Sequence, residues 1–297
     1  MTVQALQQRA TTYFDTQMVD PLSIAASARA YFDKVTRLPK NTFIYEYEKI
    51  TEMGDAIINY ELPNESGSKD SIKSTPSQMR LAVISKQWEV PYSKWQAYQN
   101  LGVDLPTKTM ESAIRVIGKK ERNLLLQSWK PDGSNARING LYASAGNAVS
   151  DTCDFDTVGQ AVVAVGAALD LMRADEVSGV NFNLILNSAE FSKLSTNTYT
   201  NGDMEWDRVL KLLNMDGGKG KPQGTISWSP EISATTGLLT PVDPTGMYME
   251  LVVGQDTRNV LGFKSEIREI SPLIGTTYEI IGPRITYDAA LCTLNSI

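Results

Sequence analysis

The stretch Gly217-Gly218-Lys219-Gly220-Lys221 carries the residue types of a phosphate-binding loop: glycines that free backbone N–H groups, and lysines that meet phosphate oxygens. It lacks the G-x-x-x-x-G-K-[ST] spacing, and Pro222 stands where the hydroxyl residue and the helix should begin. It therefore reads as a flexible basic surface loop. Asp151, Asp154 and Asp156 crowd the approach to an apolar run and invite a calcium reading. A calcium loop continues its oxygen ligands through the fifth position, but counted from Asp154 that position is Val158. Carboxylates ahead of a helix are adequately explained by capping and by the helix dipole. Cys153 sits among those acids, which raise a thiol pKa and oppose nucleophilic use. Cys292 lies in an apolar C-terminal segment and reads as core.

The composition narrows the chemistry further. The chain has 297 residues and no histidine, which removes Ser-His-Asp and Cys-His catalysis and any imidazole metal site. Two cysteines build neither a four-thiolate zinc site nor a disulfide framework. With 28 Lys+Arg against 34 Asp+Glu the formal charge is −6, which argues against a surface dedicated to nucleic acid while leaving room for a local patch. No nucleophile is paired with a base, and no catalytic residue, cofactor or metal site is expected. The apolar content of 42% and aromatic content of 8% are those of a folded chain. Its longest apolar run, Ala161 to Leu169, falls well short of the roughly 18 residues of a membrane span. The first residues lack the pattern of a secretion signal, so the protein is expected to be made in the cytoplasm.

The elements that would position any site change texture every few dozen residues. Residues 1–38 read as helical: Asp20-Pro21 is a start signal, and Ile24, Ala28, Tyr31, Val35 and Leu38 form a helical stripe closed by Pro39. From Thr42 to Val90 the texture is β. Phe43 to Glu48, with Ala56 to Tyr60, and Met79 to Val90 flank a polar tip from Pro63 to Ser71, which predicts a long hairpin. Its apolar content is too thin for a core of its own, and such an arm is marginal in isolation. It must lie against something else, another subunit included.

Pro106-Thr107 opens the clearest helix. Met110, Ala113, Ile114, Ile117, Leu124 and Leu125 share a stripe that runs to Trp129, while Glu111, Arg115, Lys119, Lys120 and Arg122 occupy the remaining face. Gly140 to Gly146 is a turn region. A second helix starts at Asp156, uniformly apolar enough to be buried on most sides. A strand at Asn181–Leu186 leads into a short helix at Asn187–Leu194, and another helix covers Asp203–Asn214. Strands follow at Thr225–Ser229, Met247–Val253, Lys264–Ile270, Thr277–Ile281 and Ile285–Leu291. Helices and strands in blocks define an α+β fold.

Two clusters remain. Tyr45, Tyr47 and Tyr60 on the hairpin could stack on bases, but without interleaved Arg and Lys they read better as packing against a neighbouring surface. Lys119, Lys120 and Arg122 are the best local basic patch, read as a solvated helix face with a nucleic-acid-facing surface as the alternative.

The order of these parts resembles the shell-protein fold of tailed-phage major capsid proteins and encapsulins. Local stretches add to it: Ile138-Asn139-Gly140-Leu141 after Trp129-Lys130-Pro131-Asp132-Gly133, Leu184 to Leu194, and Val252-Val253-Gly254-Gln255-Asp256 are similar to encapsulin segments. The C-terminal run from Ile270-Ser271-Pro272-Leu273 to Gly282-Pro283-Arg284-Ile285 reads more like the phage relatives. The resemblance implies an N-terminal arm at 1–41, an extended loop at 42–90, a peripheral domain with its spine helix at 91–146, an axial domain at 147–262, and strands at 263–297 returning to the peripheral domain. It further implies a viral major capsid protein, not an enzyme, forming pentamers and hexamers of an icosahedral shell around DNA, hence located in the virion. Packaged DNA held non-specifically and scaffold, portal or decoration proteins are the implied partners, with no membrane. An encapsulin shell around a cargo enzyme in the cytoplasm is the alternative, and a cytoplasmic enzyme or binding protein using carboxylates or Lys219 and Lys221 is the third. Some capsids of this fold crosslink an extended-loop lysine to an asparagine; Lys69 is at the hairpin tip, but no acceptor is identifiable and no crosslink is predicted. Tyr45, Tyr47, Tyr60 and Lys69 are the expected inter-subunit contacts.

Overall fold

The computed structural model describes residues 28–50, 74–99, 105–131, 137–150, 155–217, 220–263, 272–295 and 297. Tyr60, Lys69, the hairpin tip, Asp151, Cys153, Asp154, Lys219 and the strand expected at Lys264–Ile270 lie outside them.

The first described residues form a 3-10 turn, Ala28–Tyr31, followed by β1, Val35–Arg37. The expected helix through Leu38 is thus corrected. Val35, Thr36 and Arg37 pair in parallel with Leu251, Val252 and Val253, and the Leu38 N–H donates to the Val253 carbonyl at 2.9 Å. Val35–Arg37, read as the end of a helical stripe, is a strand because a distant ladder supplies its hydrogen bonds, and β-branched Val35 and Thr36 suit that conformation.

The hairpin consists of β2, Ile44–Ile50, and β3, Ser74–Arg80, in register from Ile44 opposite Arg80 to Ile50 opposite Ser74. Alternation gives it a polar face with exposed Glu46, Glu48, Gln78 and Arg80, and a second face with half-buried Tyr45, Tyr47 and Met79. The second arm was expected to run to Val90. It ends at Arg80 instead: Leu81 is buried and turns the chain into β4, Ala82–Val90, which pairs with β12, Leu273–Ile285.

With β11, Met249–Phe263, these strands form a four-stranded sheet in the order β1-β11-β12-β4. After α1, Tyr92–Gln99, the long helix α2, Leu105–Leu126, packs on β4 and β12. Its length and its buried Ala113, Ile117, Leu124 and Leu125 match the stripe read from the sequence. Ile114 is more exposed than expected, and Trp129 lies beyond the helix, half exposed, in β5, Ser128–Trp129, paired with β6, Ile138–Asn139. Gly275 of β12 lies directly under the Trp88 ring, where a Cβ would collide with the indole.

A five-stranded sheet follows the order β7-β13-β10-β8-β9. It is built from β7, Asn147–Val149; β8, Phe182–Leu186; β9, Ile226–Trp228; β10, Thr236–Pro241; and β13, Cys292–Asn295. Helices α3, Gln160–Ala174, α4, Ser188–Thr196, and α5, Glu205–Leu213, accompany it. Ala161, Ala164, Val165, Ala168, Leu169 and Met172 of α3 share a core with Leu184, Leu186, Val209, Leu213, Leu239, Cys292 and Leu294. Val163 and Leu171 face outward, so this helix is covered on one side only.

The last residues do not all return to the first sheet. Strand β12 lies in it, as does all of β11, but β13 inserts between β7 and β10. Cys292 and Leu294 fit that place because both are fully buried under α3.

Candidate functional site

Asn181 closes the base of the Gly-Lys loop. The Gly217 N–H donates to its Oδ1 at 2.9 Å, and its Nδ2 donates to the Pro222 carbonyl at 2.8 Å. The Gly217 amide is therefore engaged within the chain. Cys292 is buried and free, and burial pushes its thiol up to about 11. Asp156 is exposed and reaches Lys193 at 3.0 Å, and α3 begins later than Asp156, at Gln160. The carboxylate at the helix start is that of Glu205, fully buried, which accepts from Gly159 N at 2.8 Å and Ala161 N at 3.1 Å. Open N–H groups and the helix dipole offset the burial of that charge. Among the described residues no cluster of Cys, Asp or Glu is arranged to hold a metal ion, and no helix is long and apolar enough to cross a membrane.

The hairpin is moored at its base. Tyr45 and Tyr47 stack with ring centroids 5.8 Å apart, and the Arg284 guanidinium of β12 lies 4.5 Å from the Tyr47 ring centroid. Arg284 also pairs with buried Glu250, which accepts from Thr36 Oγ1 at 2.8 Å. Leu38, Tyr45 and Met79 cover Leu81, Val252 and Ile280 on the face of the sheet. Tyr45 and Tyr47 thus pack against Arg284 of their own chain, a cation that adjacency in sequence did not reveal.

The basic patch divides. Lys119 and Lys120 are exposed, whereas Arg122 is buried, and its place in a solvated patch is corrected. Arg122 Nη2 meets Glu231 Oε1 at 3.1 Å, while Asn123 Nδ2 reaches the same carboxylate at 3.3 Å and Gln127 Nε2 the Glu231 carbonyl at 2.6 Å. Helical spacing puts Arg122 next to the apolar stripe, where Glu231, distant in sequence, offsets its burial.

A second charged cluster was not foreseen. Arg29 of the 3-10 turn donates from Nε to Glu121 Oε1 at 2.6 Å, from Nη2 to Glu279 Oε2 at 2.9 Å and from Nη1 to Asp256 Oδ1 at 2.9 Å. Thr257 Oγ1 adds a bond to Glu279 Oε2 at 3.1 Å. Burial and the neighbouring Glu121 charge push Glu279 up to about 7. The available signal was Glu121 itself, four residues from both Ile117 and Leu125 and so on the buried stripe.

A long helix laid on a four-stranded sheet, a hairpin springing from that sheet and a second, five-stranded α/β layer define the fold of tailed-phage capsid and encapsulin shell proteins. Residues 56–269 match the family described as encapsulating protein for peroxidase, and the chain belongs to that family. The capsid of Myoviridae phage XM1 aligns with a TM-score of 0.73 at 12% identity, covering 97% of this chain and 98% of that one. The virus-like particle from Pyrococcus furiosus aligns at 0.62 and 18% identity, covering 91% and 93%. Mycobacterium phage Adephagia aligns at 0.62 and 12% identity, covering 99% and 97%. No curated protein sequence matches the chain.

Proposed function

We propose that the chain is a viral major capsid protein whose copies assemble through pentamers and hexamers into an icosahedral shell around DNA. The observation that carries this reading is the near end-to-end likeness to the phage XM1 capsid, with 97% of this chain and 98% of that one aligned. The hairpin supports it. Its base is moored on the subunit, while its outward row of Glu46, Glu48, Gln78 and Arg80 is exposed, as befits an arm that gains its burial from neighbours. Stable interfaces bury about 1,600 Å² in total, which interlocking arms reach readily. Tyr60 and Lys69, outside the described residues, are assigned to contacts with a neighbouring copy, and Lys119 and Lys120 to non-specific contacts with packaged DNA. The protein acts mechanically, without a reaction of its own. Its place is the virion, reached from the host cytoplasm, with scaffold, portal or decoration proteins as further partners.

Deleting residues 63–76 tests the hairpin's role: the variant should fold as monomers or capsomers that fail to close. Normal particles from that deletion would remove the hairpin from assembly.

The family match over residues 56–269 favours a second reading, a nanocompartment around a cargo enzyme. The contents of purified particles separate the two. Nucleic acid supports the capsid reading, and a protein cargo without nucleic acid supports the compartment.

A further inference from the structure

Arg29 gathers three carboxylates from three different elements, and the arrangement is unbalanced. Glu279 is fully buried, and among the described residues its Oε1 has no hydrogen-bond partner. Glu121, also buried, stands beside it on α2. An unpartnered buried carboxylate oxygen carries its full desolvation penalty, and adjoining carboxylates that share one cation resist ionising together. A proton on Glu279 relieves both, because its O–H becomes a donor toward Glu121 and one negative charge leaves the cluster.

We propose that Arg29, Glu121, Asp256 and Glu279 form a pH-sensitive clamp, which fastens the Ala28–Tyr31 turn to α2 and the four-stranded sheet while Glu279 holds a proton and loosens when that proton leaves. Glu279 is pushed up to about 7 by burial first and then by the Glu121 charge, so the proton leaves near neutrality. Arg29 keeps its own proton, since Glu121, Glu279 and Asp256 outweigh the opposing effect of burial. Among the described residues the surrounding elements supply few other charges. From β1, Arg37 approaches Asp256 at 3.7 Å. From β4, Ile84 lies opposite Glu279 and exposed Lys86 opposite Thr277. On α2, Lys120 is exposed and Arg122 is engaged by Glu231. The clamp is internal to one subunit and holds whether the shell encloses a genome or an enzyme.

Hydrogen exchange on the full chain tests it. The Phe32 amide, which donates to the Arg29 carbonyl at 3.0 Å, reports on the turn. After correction for intrinsic rates, its protection should fall on the order of tenfold between about pH 5.5 and about pH 8. Glu279→Gln should abolish the step, and Glu121→Gln should move it to lower pH by removing the like charge. A flat wild-type profile, or an unchanged step in Glu279→Gln, would overturn the clamp. Should Glu279→Gln fail to fold, an unchanged midpoint in Glu121→Gln overturns it equally.

Discussion

Arg122 and Glu231 join the two layers of the subunit. Arg122 lies on the helix that covers the four-stranded sheet, and Glu231 lies between β9 and β10 of the five-stranded one. Their side chains are 9% and 13% exposed, and Nη2 stands 3.1 Å from Oε1. The pair is reinforced at the backbone by Gln127, whose amide donates to the Glu231 carbonyl. A core of Leu124, Leu125, Ile185, Leu238, Leu251 and Leu291 surrounds this junction with residues from both sheets.

Removing Arg122 therefore leaves a poorly solvated carboxylate. Arg122→Ala should destabilise the folded chain by about 3–5 kcal/mol, as broken buried pairs do. The double substitution Lys119→Ala/Lys120→Ala on the same helix should stay within about 0.5 kcal/mol per site, as exposed positions do. Denaturant titration of both variants measures the contrast, and equal effects would contradict it.

Arg284 holds the hairpin base through Tyr47 and neutralises Glu250. Tyr47→Leu should cost about 1 kcal/mol, the scale of one cation–π contact with its packing. Arg284→Met should cost about 3 kcal/mol, because buried Glu250 then loses its cation. Thermal melting should rank them in that order.

Glu279 sets the pH dependence. Its folded-state value lies near 7, above the ordinary 4.5, so the folded chain holds a proton that the unfolded chain has released in between. Stability should therefore fall as pH rises through that window, by on the order of 3 kcal/mol, and then level off. Glu279→Gln should flatten the profile, a result read directly from denaturation midpoints across the window.

Cys292 should be unreactive while the chain is folded, since its thiol is buried and pushed up to about 11. In a Cys153→Ser background, a disulfide reagent at about pH 8 should titrate no thiol until denaturant is added. Rapid reaction of the native protein would contradict the packing of β13.

The elements legible from sequence were those whose pattern is local. The spacing of Ala113, Ile117, Leu124 and Leu125 identified the long helix, and aromatic alternation identified β2. What was missed depends on distant partners. Val35–Arg37 looked helical until Leu251–Val253 paired with it. Strand β10 carries Gly237 and ends on Pro241, weak strand signals overridden by its neighbours β8 and β13. Glu121, Glu205 and Arg122 are charged residues in buried places, each settled there by a partner far along the chain. Charge in sequence suggests solvent, and only the folded arrangement reveals those partners.

Electron microscopy of the full chain, purified after expression on its own, tests the proposal of a shell protein most directly. Closed particles with icosahedral symmetry, built from pentamers and hexamers, are the expected result. A monodisperse monomer that persists at high protein concentration would contradict it.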